Sequence, residues 1–205
     1  MPDRGGKMSI CVLTGDIVGS TDLPAAQRRQ VMAILEDTYG LIARDGAGFF
    51  DTYRGDGWQM AFDRPALALR LALFIRASLK EAADTFETRV AMATGDGIIS
   101  SLDLQSAPFI ASGRALDAMP RDVLFAHADG GALHGAALLA DHISQGWTQA
   151  QARAIRPFLH PAATVTQKDV AEATGVTRQA IGQALEAAGY GPISKALSAI
   201  EEQAE

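Results

Sequence analysis

With 205 residues, 48% of them hydrophobic and 20% charged, the chain has the length of one medium domain plus a small one and the apolar content of a globular protein with a sizeable core. Its net charge of −6 excludes a broad electrostatic grip on nucleic acid and leaves open only a local basic face. The single cysteine, Cys11, excludes an intramolecular disulfide, and without a Cys/His metal spacing a reducing, cytoplasmic location is the default.

Met8 to Leu13 predicts a short buried strand that feeds a loop at Gly15-Asp16, and this apolar run is too short for a signal peptide. Thr21, Asp22 and Pro24 predict a helix start, Val31, Ile34, Leu35, Thr38, Leu41 and Ile42 follow at helical spacing, and Gly46 and Gly48 end the helix. Phe49–Tyr53 and Trp58–Phe62 flank Arg54-Gly55-Asp56-Gly57, a strong hairpin signal. Pro65 opens a second helix with Leu69, Leu73, Phe74 and Ala77 on one stripe, ending near Ala83. Arg70 and Arg76 interrupt that apolar stretch, so a membrane span is not expected. Arg89–Thr94 predicts another strand, closed by Gly95-Asp96-Gly97.

Strand, helix, hairpin, helix, strand is the split β-α-β order. It predicts an α+β fold, a ferredoxin-like antiparallel sheet with helices on one face. Beyond it, Ser112–Met119 suggests a short helix and Val123–Ala126 a strand. From Gly131 the pattern is helical, through Leu133, Ala136, Ala137, Leu139, Ala140 and Ile143. Thr148 and Gln151 form a capping box for a helix to about Leu159, and His160-Pro161 marks a break. The expected division is an α+β domain over 1–130, connecting helices over 131–160 and a helix-turn-helix domain over 161–205.

In that last segment Thr166 is a good N-cap with Asp169 in the first turn, Gly175 suits a tight turn at positive φ, and Thr177 caps a second helix. Ala171, Gly175 and Ile181 have the small, turning and anchoring roles of a DNA-binding helix-turn-helix. The second helix places Thr177, Arg178, Gln179 and Gln183 towards its exposed amino-terminal face, and Arg and Gln are the side chains that read guanine and adenine edges. Three basic against six acidic side chains over 161–205 make a poor charge for phosphate contact, so a packing or dimerisation hairpin is the alternative.

The split β-α-β order also brings the end of the first strand beside the hairpin, so Asp16 and Asp56 are expected close together at one sheet edge. Paired carboxylates with nucleotide phosphates suit Mg²⁺, and Gly19-Ser20 with the first helix start would be an anion-binding neighbour. The plainer alternative is that both aspartates only shape turns. Arg28-Arg29 reads as a solvated pair, and Arg114 as a phosphate candidate. His127, His134, His142 and His160 lack metal-ligand spacing and read as packing or surface residues.

Thr14 to Leu23 together with Arg54 to Phe62 resemble the catalytic domain of class III nucleotidyl cyclases over roughly residues 8–120. That resemblance implies Asp16 and Asp56 as Mg²⁺ or Mn²⁺ ligands, joined by the Ile17 carbonyl, with a nucleoside triphosphate against Gly19, Ser20, Gly55 and Arg114. Thr52 stands where such cyclases carry a base-selecting lysine and Ile110 where they carry an asparagine, which implies a degenerate site. A second resemblance spans nearly the whole chain. Gly15 to Ile17, Gly55-Asp56, Ala107 to Ala115, Trp147 to Gln151 and the segment from Thr166 resemble, in that order, the SatD family of bacterial proteins. The expected function is a DNA-binding regulator, acting as a homodimer, with a degenerate nucleotide- and metal-binding cyclase-like domain. The alternatives are a Mg/Mn-dependent nucleotidyl cyclase or related triphosphate-converting enzyme, and a protein-interaction scaffold.

Overall fold

Residues Ile10 to Leu13 are apolar without interruption, as a strand covered on both faces must be, and they form the middle of the central strand of a sheet. The computed structural model describes residues 8–53, 55–99, 104–162 and 164–203. Its five-stranded sheet comprises β1 (Met8–Ile17), β2 (Gly48–Tyr53), β3 (Gly57–Phe62), β4 (Thr88–Gly97) and β5 (Phe125–His127), in the order β2-β3-β1-β4-β5. β1 is antiparallel to both β3 and β4, and β5 adds parallel to β4. The first four strands, with α1 (Ala25–Ile42) and α2 (Ala68–Ala82), make the split β-α-β unit, and the fold is α+β.

Two strands run further than the residue pattern predicts. β1 does not turn at Gly15-Asp16 but continues to Ile17, and β4 continues through Gly95-Asp96-Gly97, paired from Met8↔Gly97 to Ile17↔Thr88. The glycines serve close approach inside the sheet. A Cβ on Gly15 would collide with the Arg89 carbonyl oxygen and the Trp58 indole. The indole lies across this gap and its Nε1 donates to Thr88 Oγ1 at 2.8 Å.

Alternation along β1 divides the helices. Cys11, Leu13 and Ile17 pack towards α1 and α2, whereas Ile10 and Val12 pack with Phe109 of α3 (Ala107–Asp117) on the opposite face. α3 begins at Ala107 and not at Ser112, because Pro108 occupies the first turn, where its missing N–H costs nothing. Burial pushes the Cys11 thiol up to about 12, so it behaves as an apolar core group.

The helical half consists of α4 (Gly131–Gln145), α5 (Gln149–Leu159), α6 (Gln167–Thr174), α7 (Arg178–Ala187) and α8 (Tyr190–Glu202). Both capping boxes, Thr148/Gln151 and Thr166/Asp169, are made, and Gly175 has φ +71°. The backbone N–H of Thr166 and then its hydroxyl hold the Asp169 carboxyl below its usual range. Among the described residues no helix is long and apolar enough to cross a membrane.

The two halves share one core. α2 is buried from Ala68 to Lys80 except at Arg70, as a helix covered on all sides must be. One apolar cluster runs from Leu13 and Trp58 through Leu71 and Phe74 to Trp147, Ile155, Ile181 and Leu197. Polar ties reinforce it: Arg70 grips the Glu201 carboxylate of α8 at 2.6 and 2.8 Å, and Arg156 of α5 meets Ser78 and Glu81 of α2 at 3.1 and 3.0 Å. Trp147 Nε1 donates to the Ala188 carbonyl at 2.9 Å.

At the centre is Arg76, fully buried in α2. It pairs with Glu87 at 3.3 Å and Asp141 of α4 at 2.8 Å, donates to Ser144 Oγ at 2.6 Å and lies 3.8 Å from the Phe125 ring centroid. Burial pushes its pKa down, and the charges of Glu87 and Asp141 draw it back up. Arg76→Ala leaves the buried Asp141 carboxylate without its cation, while Glu87 keeps Lys80, and is expected to lower unfolding free energy by about 3–5 kcal/mol. Urea denaturation measures this, and a loss below about 1 kcal/mol, the value of an exposed pair, would overturn it.

Candidate functional site

Since side chains alternate along a strand, Asp16 shares the α3-facing side of β1 with Thr14, opposite Gly57 on β3 and Arg89 on β4. The β2–β3 turn brings Asp56 to the same edge. Ile17 N donates to the Asp56 carbonyl at 3.1 Å, and Gly55 has φ +85°, a turn conformation suited to glycine. Arg54 lies outside the described residues. The structure therefore brings Asp16, Ile17, Gly55 and Asp56 together.

Each of the two carboxylates already has a protein partner. Arg89 binds Asp16 as a fork: Nε donates to Oδ1 at 2.8 Å and Nη2 to Oδ2 at closer range. Ser20 Oγ donates to Asp56 Oδ2 at 2.5 Å. The hydrogen bond to Asp16 raises the Arg89 pKa, partial burial opposes this, and Asp16, Asp117 and Asp56 add by charge. Thr88, next to Arg89, donates to the Asp16 carbonyl at 2.7 Å. Among the described residues no group of three or more His, Cys, Asp or Glu is placed to hold a metal ion. With a guanidinium seated on Asp16, the residues present do not fit a divalent cation in this arrangement.

The Ser20 loop is held from within. Gly19, at φ +63°, accepts from the amides of Asp22 and Leu23, and Arg28 Nη1 donates to the carbonyls of Ser20 at 2.9 Å and Leu23 at 2.6 Å. A cleft of about 360 Å³ lined by Ser20, Thr21, Arg28, Gly55 and Asp56 opens beside it. Arg114 is exposed on α3, as is Ile110, and Thr52 is exposed on β2. On the α3-facing side Gln59 donates to Thr14 Oγ1 at 2.8 Å, and Thr14 meets Ser112 of α3 at 2.7 Å. The residue that sequence spacing missed is Arg89. Its one signal is a charged residue at the start of an otherwise apolar strand, and its meaning depends on register.

The second group lies on α7. Thr177 Oγ1 accepts from Ala180 N at 3.1 Å and caps the helix. Thr177, Arg178, Gln179 and Gln183 are exposed, while Ile181 and Leu185 are buried.

No protein-family model matches the chain, and no curated protein matches it. Among solved structures it is similar to the crystal structure of a guanylyl cyclase, with 19% identity over 62% of this chain and 81% of that chain and a TM-score of 0.45. It is also similar to a bacterial light-regulated adenylyl cyclase, with 16% identity over 60% of this chain and 76% of that one, again with a TM-score of 0.45.

Removing the guanidinium leaves Asp16 uncompensated beside Asp56 and Asp117. Arg89→Ala is accordingly expected to bind Mn²⁺ at least about tenfold more tightly than the wild type, because a cation is attracted where a like charge no longer repels it. Titration calorimetry or Mn²⁺ resonance measures this, and Asp16→Asn in the same background should cancel the gain. Equal affinity of wild type and Arg89→Ala would show that Arg89 does not hold the ion out.

Proposed function

We propose that the protein is a DNA-binding regulator in which α6 and α7 form a helix-turn-helix, fused to a cyclase-like domain that senses a nucleotide rather than converting one. The observation that carries this reading is the free amino-terminal face of α7. Arg178, Gln179 and Gln183 are exposed together, beside the capping Thr177, on a helix whose other face is anchored by Ile181 and Leu185. Among the described residues Arg178 has no acidic partner, so its guanidinium is available to a base edge. In support of a sensor, the cleft at Ser20, Arg28 and Asp56 has polar groups and a cation beside it, whereas Arg89 engages Asp16, Thr52 stands at the base-selecting position and Ile110 at the asparagine position. No turnover and no metal-dependent step belongs to this proposal. Its domain division follows the sequence segments 1–130, 131–160 and 161–205, and its family is the SatD-like group that the order of motifs resembles.

The expected binding mode is base-edge contact with few phosphate contacts, because residues 161–205 are acidic on balance. Fluorescence anisotropy with DNA upstream of the gene should give binding with a shallow salt dependence, a slope in log K of about −0.9 per phosphate contact. Arg178→Ala with Gln179→Ala should weaken it by about tenfold or more, since a good bidentate base contact is worth about 1–3 kcal/mol. Undiminished binding by the double variant would remove α7 as the reader.

A homodimer belongs to the same proposal. Leu139 is 69% exposed, and with Ala136, Ile143, Pro192 and Ala196 it lines an apolar groove of about 200 Å³ between α4 and α8. The same patch favours the scaffold as a second reading, in which a different protein covers it. Leu139→Glu is expected to turn a dimer into a monomer in analytical ultracentrifugation; a wild type that is already monomeric would overturn the homodimer and leave this patch to a different protein.

A further inference from the structure

At the end of β1 remote from Asp16, the rim of the sheet and the C-terminal helices flank a half-open cavity of about 430 Å³. That is within the range of about 300–1,000 Å³ of small-molecule sites. Ser9 of β1, Thr94 of β4, His127 of β5 and Gln203 supply its polar groups, and Leu69, Leu133 and Ile200, from α2, α4 and α8, form much of the apolar side. No lysine or arginine is among the described residues that line it.

His127 is held in a defined orientation. Its side chain is only 4% exposed. Its backbone N–H donates to His134 Nδ1 at 3.2 Å, and its own Nδ1 accepts from the Asp129 amide at 3.4 Å. The Asp129 carboxylate in turn accepts from Thr94 Oγ1 at 2.6 Å. Burial pushes the His127 pKa below its ordinary value, Asp129 opposes this and His134 adds to it, so the ring is neutral near pH 7. With Nδ1 accepting, the proton of the neutral ring sits on Nε2. Among the described residues no protein group accepts from that Nε2–H, so water or a ligand in the cavity is what can take it.

We propose that this cavity binds a small neutral molecule, an apolar body of one or two rings bearing a carbonyl or ring-nitrogen acceptor that takes the His127 Nε2–H. The absence of a lining cation among the described residues, together with the carboxylate of Asp129 behind the ring, disfavours an anionic ligand. Leu133 and Ile200 close over the apolar body, and Thr94 fixes the histidine through Asp129. The site stands independently of whether α7 reads DNA.

Acetophenone and ethylbenzene test it, since they share a shape and differ in one carbonyl. In NMR titrations of the full chain, acetophenone is expected to bind about two- to tenfold more tightly than ethylbenzene, the net worth of one hydrogen bond exchanged for one to water. It should also move the His127 imidazole nitrogen resonances. His127→Phe should abolish the preference. Leu133→Trp, at a half-buried position, should fill the space and weaken both probes by about tenfold or more. Equal affinity of the two probes for the wild type, shifts that map away from His127, Leu133 and Ile200, or a preference that survives in His127→Phe would each overturn the proposal. Should His127→Phe not fold, the wild-type imidazole resonances together with Leu133→Trp still decide it.

Discussion

Everything on the helical side of the molecule depends on a guanidinium in the middle of α2. Arg76 is surrounded by groups from three places in the chain: Glu87 before β4, Asp141 and Ser144 of α4, and the Phe125 ring of β5. Lys80, one turn on, shares Glu87 at 2.8 Å. Two cations and two anions balance there, out of water. Several of the polar atoms, including Arg76 Nε and Asp141 Oδ1, lack well-directed hydrogen bonds, so charge more than geometry holds the group together. Such a cluster adds little net stability compared with an apolar core, but it penalises any packing that separates its members. It therefore specifies how α4 lies on the sheet, and α5 to α8 follow through Arg156, Trp147 and Arg70.

Short-range chemistry in the chain is legible from residues alone. Thr148 with Gln151, Thr166 with Asp169, Gly175 and Thr177 each state a helix end through a hydrogen bond or a backbone angle that involves only near neighbours, and all are found in place. The Asp56-Gly57 turn between β2 and β3 is equally local. What escapes is what depends on partners distant in sequence. Gly15 and Gly97 look like turn residues until Trp58 and Ile10 are seen lying over them. Arg76 looks like an interruption of an apolar helix until its carboxylates arrive from residues 87 and 141. α8 has no strong capping signal of its own, its N-cap being Gly189, and its place is set by Arg70 and the core.

The candidate site shows the same limit. Topology alone brings Asp16 and Asp56 to one edge, and the expectation of paired carboxylates rests on that. Whether such a pair stays open to a cation depends on the cross-strand neighbour, and only the register Asp16↔Arg89 supplies it. One arginine on an adjacent strand halves the charge of a doubly negative edge and occupies Asp16, with no change in the motif itself.

The enclosure of α2 has a further consequence for how the chain is made. Until residues 131–202 have been synthesised, the side of α2 that packs on α4, α5 and α8 has nothing to cover it, although the strands and α1 that cover its other side are mostly complete. At about 5–20 residues per second, translation leaves that apolar face, with Arg76 unpaired from Asp141, exposed for several seconds. The nascent chain thus passes through a state in which a half-finished sheet carries a sticky helix, and this is the stage at which chaperone capture or aggregation competes with folding.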